Sequence, residues 1–197
     1  MILGITGSIG CGKSAVLAAF AAHRWQTADA DRICRRLCGE PAGTAVREIV
    51  RRWGEEILDE NRVPDRRKLA RIVFRDEREL AALTGILYPA LQSELAARVA
   101  DWRRERVHGV LEIPLFYEAG IDFGVDRVIA VWAERSVRHA RLCGGRGFTE
   151  EEIRLREARQ LDPDEKLERA DFALINNGTP RQLEQQVSEL IKQVEAI

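Results

Sequence analysis

The chain has 197 residues, of which 31 are Lys or Arg and 32 are Asp or Glu, for a formal charge of −1 at neutral pH. So even a balance excludes a generic polyanion-binding protein, and a 45% hydrophobic content excludes a disordered, collagenous or coiled-coil chain. The length suits one domain carrying sizeable insertions.

Lys13, Lys68, Lys166 and Lys192 are the only lysines, so a lysine inside a glycine-rich loop is conspicuous. Cys11, Cys34, Cys38 and Cys143 show no CxxC or finger spacing and are expected to be free thiols. The opening residues are too short an apolar stretch for a signal peptide, and no apolar run reaches membrane-spanning length. The expectation is a soluble, cytoplasmic protein with neither a membrane nor a nucleic acid as partner.

In chain order, Ile2–Thr6 is a short apolar run ending in a glycine-rich turn, followed by helical spacing of Val16, Leu17, Ala19 and Phe20. Further apolar runs occur weakly at 25–28 and more clearly at 110–113, 128–132 and 172–175, separated by helical pattern. Strands alternating with helices predict an α/β fold with a mostly parallel sheet covered on both faces. Between the second and third runs, about residues 38–106, no strand pattern occurs, and helical windows fall near 45–53, 67–75 and 91–106. That stretch is too long for a simple crossover and reads as a helical insertion. Residues 62–106 hold 11 basic and 7 acidic side chains, a local positive excess in a neutral protein.

Gly7-Ser8-Ile9-Gly10-Cys11-Gly12-Lys13-Ser14 fits G-x-x-x-x-G-K-[ST], directly after the first strand and opening the first helix. Glycines let several N–H groups face one point, and the helix N-terminus adds partial positive charge there. A triphosphate is the matching anion, with Lys13 reaching its β- and γ-phosphates and the Ser14 hydroxyl a ligand for Mg²⁺. No N-K-x-D or D-x-x-G element accompanies the loop, which excludes a GTPase reading. A compact core that spends its extra length on an insertion and an arginine-rich helix fits a small-molecule kinase.

Asp29-Ala30-Asp31 follows the second run, where open parallel sheets present side chains to ligand. A carboxylate there can orient an acceptor hydroxyl, and Asp31 is the choice for that role. Asp29 could contact the acceptor or cap the next helix. Arg135, Arg138, Arg141 and Arg146 fall in a segment without acidic residues, and Gly144-Gly145 is expected to break its helix before Arg146. This reads as a basic lid over the transferring phosphoryl group, with Arg141 and Arg146 favoured. Glu112, inside an apolar strand, is a candidate acid near Mg²⁺.

These motifs together resemble the dephospho-coenzyme A kinase family, nearly end to end. The resemblance runs from the phosphate loop and Asp29-Ala30-Asp31 through Asp65-Arg66 with Leu69, Val73-Phe74 and Tyr88-Pro89. It continues through Ile113-Pro114-Leu115-Phe116-Tyr117-Glu118, Arg141-Leu142, Arg146 and Gln160 to Ala170-Asp171 and Ile175-Asn176-Asn177-Gly178. It implies a single domain with a three-layer α/β/α P-loop core at 1–38, 107–133 and 170–197, an acceptor-binding helical insertion at about 39–106 and a lid at about 134–169. The implied reaction moves the ATP γ-phosphoryl group to the ribose 3′-hydroxyl of dephospho-coenzyme A, with Mg²⁺.

The resemblance implies that Gly7, Gly10, Cys11, Gly12, Lys13, Ser14 and Ala15 hold the nucleotide phosphates and that Arg146 and Asn177 lie on the nucleotide side. Arg141 would serve the transferred group and Asp31 the acceptor hydroxyl. Asp29, Arg66, Tyr88, Leu115 and Glu118 would fall on the acceptor side. Three positions depart from the family pattern: Tyr88 stands for a His, Phe116 for a Leu and Trp25 for a turn Gly. The alternatives left open are a nucleoside monophosphate kinase and a nucleotide-sensing module without turnover.

Overall fold

The computed structural model describes residues 1–73 and 75–196, with the backbone alone at Arg146; Phe74, Ile197 and the Arg146 side chain lie outside the described residues. In chain order the elements are β1 (Ile2–Thr6), α1 (Lys13–Ala22), β2 (Gln26–Asp29), α2 (Ala30–Cys38), α3 (Thr44–Trp53), a 3-10 turn at Glu55–Ile57, α4 (Arg66–Val73) and α5 (Glu77–Glu105). Then come β3 (Gly109–Glu112), β4 (Arg127–Trp132), α6 (Arg135–Arg146), α7 (Glu150–Glu157), α8 (Pro163–Arg169), β5 (Phe172–Ile175) and α9 (Pro180–Glu195). No helix among the described residues is long and apolar enough to cross a membrane.

The chain forms two compact units, one of residues 1–29 and 97–197 and the other of Ala30–Ala96. The first is the α/β core expected from the alternating pattern. Its five strands lie in the order β2-β3-β1-β4-β5, and every pairing is parallel. Strands β1 and β3 are buried along their whole length, which explains why they read as continuous apolar runs instead of alternating ones. Leu3, Ile5, Val110, Ile129, Val131 and Leu174 pack with Val16 and Phe20 of α1 and with Leu183, Val187 and Ile191 of α9. Each such side chain contributes about 1.5–3 kcal/mol by leaving water.

Topology decides where a ligand can bind. From β1 the chain crosses to β2 on one side of the sheet, whereas β3, seated between them, sends the chain to β4 on the other side. The crevice at such a reversal opens at the carboxyl ends of β1 and β3. Ile5 of β1 is paired with Glu112 of β3, and Glu112 in turn with Asp29 of β2. Residues 7–13, Glu112 and Asp29 therefore share the carboxyl end of the sheet.

Two departures from the family pattern are filled by local packing. Phe116 lies against Gly4 of β1, where an added Cβ would meet its ring at 2.9 Å, and packs 5.4 Å from Phe123. Trp25 stacks on His108 at 4.7 Å and meets Phe20 edge-on, with its indole N–H donated to Glu195.

The second unit is helical, with Ile49, Ile57, Leu69 and Val73 buried at its centre among Cys38, Trp53, Leu83 and Ile86. Asp65 starts α4 by accepting the N–H groups of Arg67 and Lys68 at 2.8 and 3.0 Å, and these bonds hold its carboxyl below the usual range.

Two helices outrun their sequence signals. α5 begins well before residue 91 and passes through Pro89. The pyrrolidine ring opposes the carbonyl four residues earlier, and that residue is Gly85, with open space around it. In α6, Gly144 and Gly145 do not break the helix. It continues to Arg146 and stops at Gly147, whose left-handed φ of 66° ends it. Glycine at negative φ only weakens a helix; reversal needs the positive φ reached at Gly147.

Candidate active site

The phosphate loop begins where β1 ends. Gly7, Gly10 and Gly12 have φ of 145°, 80° and 99°, conformations that other residues rarely adopt. Gly12 precedes α1 in the left-handed region, and α1 has neither a capping side chain nor an acidic residue in its first turn. By contrast, α7 and α9 both open with closed capping boxes, Thr149 with Glu152 and Thr179 with Gln182. The start of α1 thus keeps its backbone donors and its positive dipole end for an external anion. Ser14 and Ala15, in that first turn, are exposed.

Lys13 is buried and folds back into its own loop, donating from Nζ to the carbonyls of Gly7 at 2.8 Å and Ser8 at 3.0 Å. Cys11, also buried, lies 4.0 Å from the same ammonium. The Ser14 hydroxyl donates to Glu112 Oε1 at 3.4 Å. A hydroxyl, the Glu112 carboxylate and the neighbouring Asp29 form a set of hard oxygen donors, the type Mg²⁺ takes. Among the described residues no group of three or more His, Cys, Asp or Glu could cage a metal by itself. Mg²⁺ is commonly held by one or two carboxylates, substrate phosphates and water, and the Ser14 hydroxyl beside the Glu112 carboxylate fits that donor set.

Helix α6 and the segment after α7 are stitched to the tip of this loop. Arg138, almost fully buried, donates from Nε to Ala133 O at 3.2 Å and from Nη1 to Ile9 O at 3.4 Å, and pairs with Glu157 at 2.6 Å. Gln160 accepts the Ile9 N–H at 2.9 Å. Arg141 donates from Nη2 to Asn176 Oδ1 at 3.3 Å, and Asn176 donates from Nδ2 to Cys11 O at 2.8 Å. Asn177 accepts the Glu134 N–H at 2.8 Å and donates to its carboxylate at 3.2 Å, holding the start of α6.

Beside the loop, Lys166 of α8 is 1% exposed and keeps its ammonium-bearing end inside the protein. Its Nζ meets Glu118 Oε1 at 2.6 Å and Pro114 O at 3.0 Å, and Pro114 O also accepts the Thr6 hydroxyl at 3.3 Å. Glu118 Oε1 accepts the Leu161 N–H at 2.9 Å as well. Burial lowers the Lys166 pKa, and the Glu118 carboxylate opposes that shift. Leu115 lies half-buried in the turn between these residues.

Gly7, Gly10, Cys11, Gly12, Lys13, Ser14 and Ala15 are thus gathered with Asp29, Arg141 and Asn177 in the first unit, which also holds Leu115 and Glu118. Asp31, Arg66 and Tyr88 belong to the second. Asp31 is exposed in the first turn of α2, directly after the end of β2. Arg66 is exposed at the start of α4, where its charge partly offsets the rise that burial imposes on the Cys38 thiol. Tyr88 is half-buried on α5.

Sequence reasoning overlooked Lys166 and the bonding role of Asn176, and it ranked Arg138 below Arg141. The scarcity of lysine was a usable signal for Lys166, because a compact ammonium fits a closed pocket with one carboxylate better than a broad guanidinium does.

The dephospho-CoA kinase family model matches residues 1–182. A dephospho-CoA kinase of Geobacillus kaustophilus is 38% identical over 198 residues, covering 100% of this chain and 98% of that one. One of Symbiobacterium thermophilum is 41% identical over 180 residues, covering 90% of this chain and 74% of its own. The dephospho-CoA kinase structure from Campylobacter jejuni has a TM-score of 0.67 at 22% identity, over 98% of this chain and 96% of that one, a likeness of fold. An open phosphate loop at the crevice of a parallel sheet and agreement along almost the whole length lead to one assignment: the chain belongs to the dephospho-CoA kinase family.

Proposed function

We propose that this protein transfers the γ-phosphoryl group of ATP to the ribose 3′-hydroxyl of dephospho-coenzyme A, giving coenzyme A, in the last step of coenzyme A biosynthesis. The observation that carries the reading is the family match over residues 1–182, which includes a phosphate loop folded against the uncapped start of α1. The backbone N–H groups of residues 7–15 cradle the polyphosphate, and Lys13 exchanges its loop carbonyls for β- and γ-phosphate oxygens. Ser14, with Glu112 beside it, would hold Mg²⁺, which neutralises charge on those oxygens when bound.

Arg141 serves the transferred group, and Arg146 and Asn177 are the candidate nucleotide-side contacts. Asp31 orients the acceptor hydroxyl. Asp29, Arg66, Tyr88, Leu115 and Glu118 are the candidate acceptor contacts, and the acceptor's pyrophosphate suits the positive excess of residues 62–106. The location of such a reaction is the cytoplasm.

A coupled assay of ADP release, run with dephospho-coenzyme A and with a panel of nucleoside monophosphates, tests the reading. Release is expected with dephospho-coenzyme A. Release only with monophosphates would make the protein a nucleoside monophosphate kinase, and none with either would make it a nucleotide sensor. In the same assay, Asp31→Asn is expected to lower kcat by about 10²-fold or more while ATP affinity, measured by titration calorimetry, stays within about twofold. An equal loss of both would assign Asp31 to metal binding or structure instead.

A further inference from the structure

Asn176 lies one residue beyond β5, and its backbone N–H continues the β5–β4 ladder with a 2.8 Å bond to Trp132 O. Its root is therefore held by the sheet, and the residue is 6% exposed. The side chain bridges two parts of the site. Its Nδ2 meets Cys11 O in the phosphate loop at 2.8 Å, and its Oδ1 meets Arg141 Nη2 in α6 at 3.3 Å. A carbonyl can only accept and a guanidinium can only donate, so these two partners fix which end of the amide is which.

The fit leaves no slack at the loop. A Cβ added at Gly12 would stand 2.1 Å from Asn176 Nδ2, so glycine is required there by contact as well as by its φ. The remaining terminal nitrogen of Arg141, Nη1, is buried without a hydrogen-bond partner among the described residues. An unpaired buried donor is costly, and in a rigid planar fork the position of Nη2 sets that of Nη1.

We propose that Asn176 is a positioning residue: it ties Arg141 to the backbone of the phosphate loop and so aims Nη1 at an oxygen of the transferring phosphoryl group. This rests on the kinase reading above for the role of Arg141. It deepens that reading by naming what sets the arginine in place. Serine is too short to span the two contacts, and aspartate keeps the acceptor for Arg141 but cannot donate to Cys11 O.

The test uses the full chain in four forms: wild type, Asn176→Ala, Arg141→Ala and the double variant. Two readouts are taken, kcat with dephospho-coenzyme A and the ratio of affinities for ADP–aluminium fluoride and ADP. The fluoride complex mimics the transferring phosphoryl group and needs no acceptor turnover, so this ratio tests the inference even if the acceptor assignment fails. Asn176→Ala is expected to lower kcat roughly 10- to 100-fold, leave the KM for dephospho-coenzyme A within about twofold and abolish the preference for the fluoride complex. In the Arg141→Ala background the same substitution should change neither readout further.

Equal losses from Asn176→Ala in both backgrounds would overturn the proposal, as would a lowered Tm with an intact fluoride preference, or a wild type without that preference. Asn176→Asp, which is isosteric, is expected to behave like Asn176→Ala. Retention of wild-type kcat by Asn176→Asp would show that the tie to Cys11 O plays no part and would likewise overturn it.

Discussion

Lys13→Ala is expected to lower kcat by about 10²–10³-fold, the loss typical when one fixed donor to developing charge is removed. The structure adds a smaller second effect. Because Nζ holds the Gly7 and Ser8 carbonyls inside the loop, its removal also frees two acceptors that the ammonium had satisfied. About 1–3 kcal/mol of stability should go with them. Steady-state kinetics and a denaturant titration read the two effects separately. The sequence alone suggests that the fold would be untouched; the internal bonds of Lys13 predict a measurable but survivable loss. An unchanged kcat would break the assignment of the loop.

The second large effect is on stability. Lys166→Met keeps the apolar stem but leaves Glu118 86% buried without its cation. Breaking one side of a buried ion pair costs about 3–5 kcal/mol. In a chain of this size that lowers Tm by on the order of 10 °C. Replacing both partners, Lys166→Met with Glu118→Gln, should recover a substantial part, because the uncompensated charge is gone. A loss below about 1 kcal/mol, or strictly additive single and double variants, would contradict the pairing.

The pair also leaves a pH signature. Burial puts the folded-state pKa of Lys166 below its ordinary value of 10.5, so the folded protein releases that proton first on alkaline titration. Its contribution to stability is constant below the folded-state pKa and rises with pH from there to 10.5. The Lys166→Met variant should lack that rise, which equilibrium unfolding at a series of alkaline pH values can measure.

What was legible in the sequence was what is encoded within a few adjacent residues. Glycine spacing, one lysine and one serine define the phosphate loop without help from the rest of the chain, and apolar runs with helical spacing mark the strands and most helices. Strand order was not legible, since β3 arrives far later in the chain than β2 yet lies between β2 and β1. Nor were long-range polar pairs. Arg138 and Lys166 sit in polar helical stretches that resemble solvated faces, and only the fold shows them buried against Ile9, Glu157, Pro114 and Glu118.

Glu118 shows what a motif leaves unsaid, namely the bonds its side chain makes inside the protein. The resemblance implies a position on the acceptor side, and the structure adds that one carboxylate oxygen is taken by Lys166 and the Leu161 N–H, with the other, Oε2, buried without a hydrogen-bond partner among the described residues. The early end expected for α6 failed for a different reason. Composition marks glycines but not their φ, and Gly147, not Gly144 or Gly145, adopts the value that stops a helix.

The central claim is that residues 7–14, at the start of α1, grip a triphosphate tail. A structure of the protein with a non-hydrolysable ATP analogue tests it most directly. The expected result is the β- and γ-phosphates against the loop N–H groups, with Lys13 Nζ moved from the Gly7 and Ser8 carbonyls onto phosphate oxygen. A tail bound elsewhere, with Lys13 still on its two carbonyls, would contradict the account.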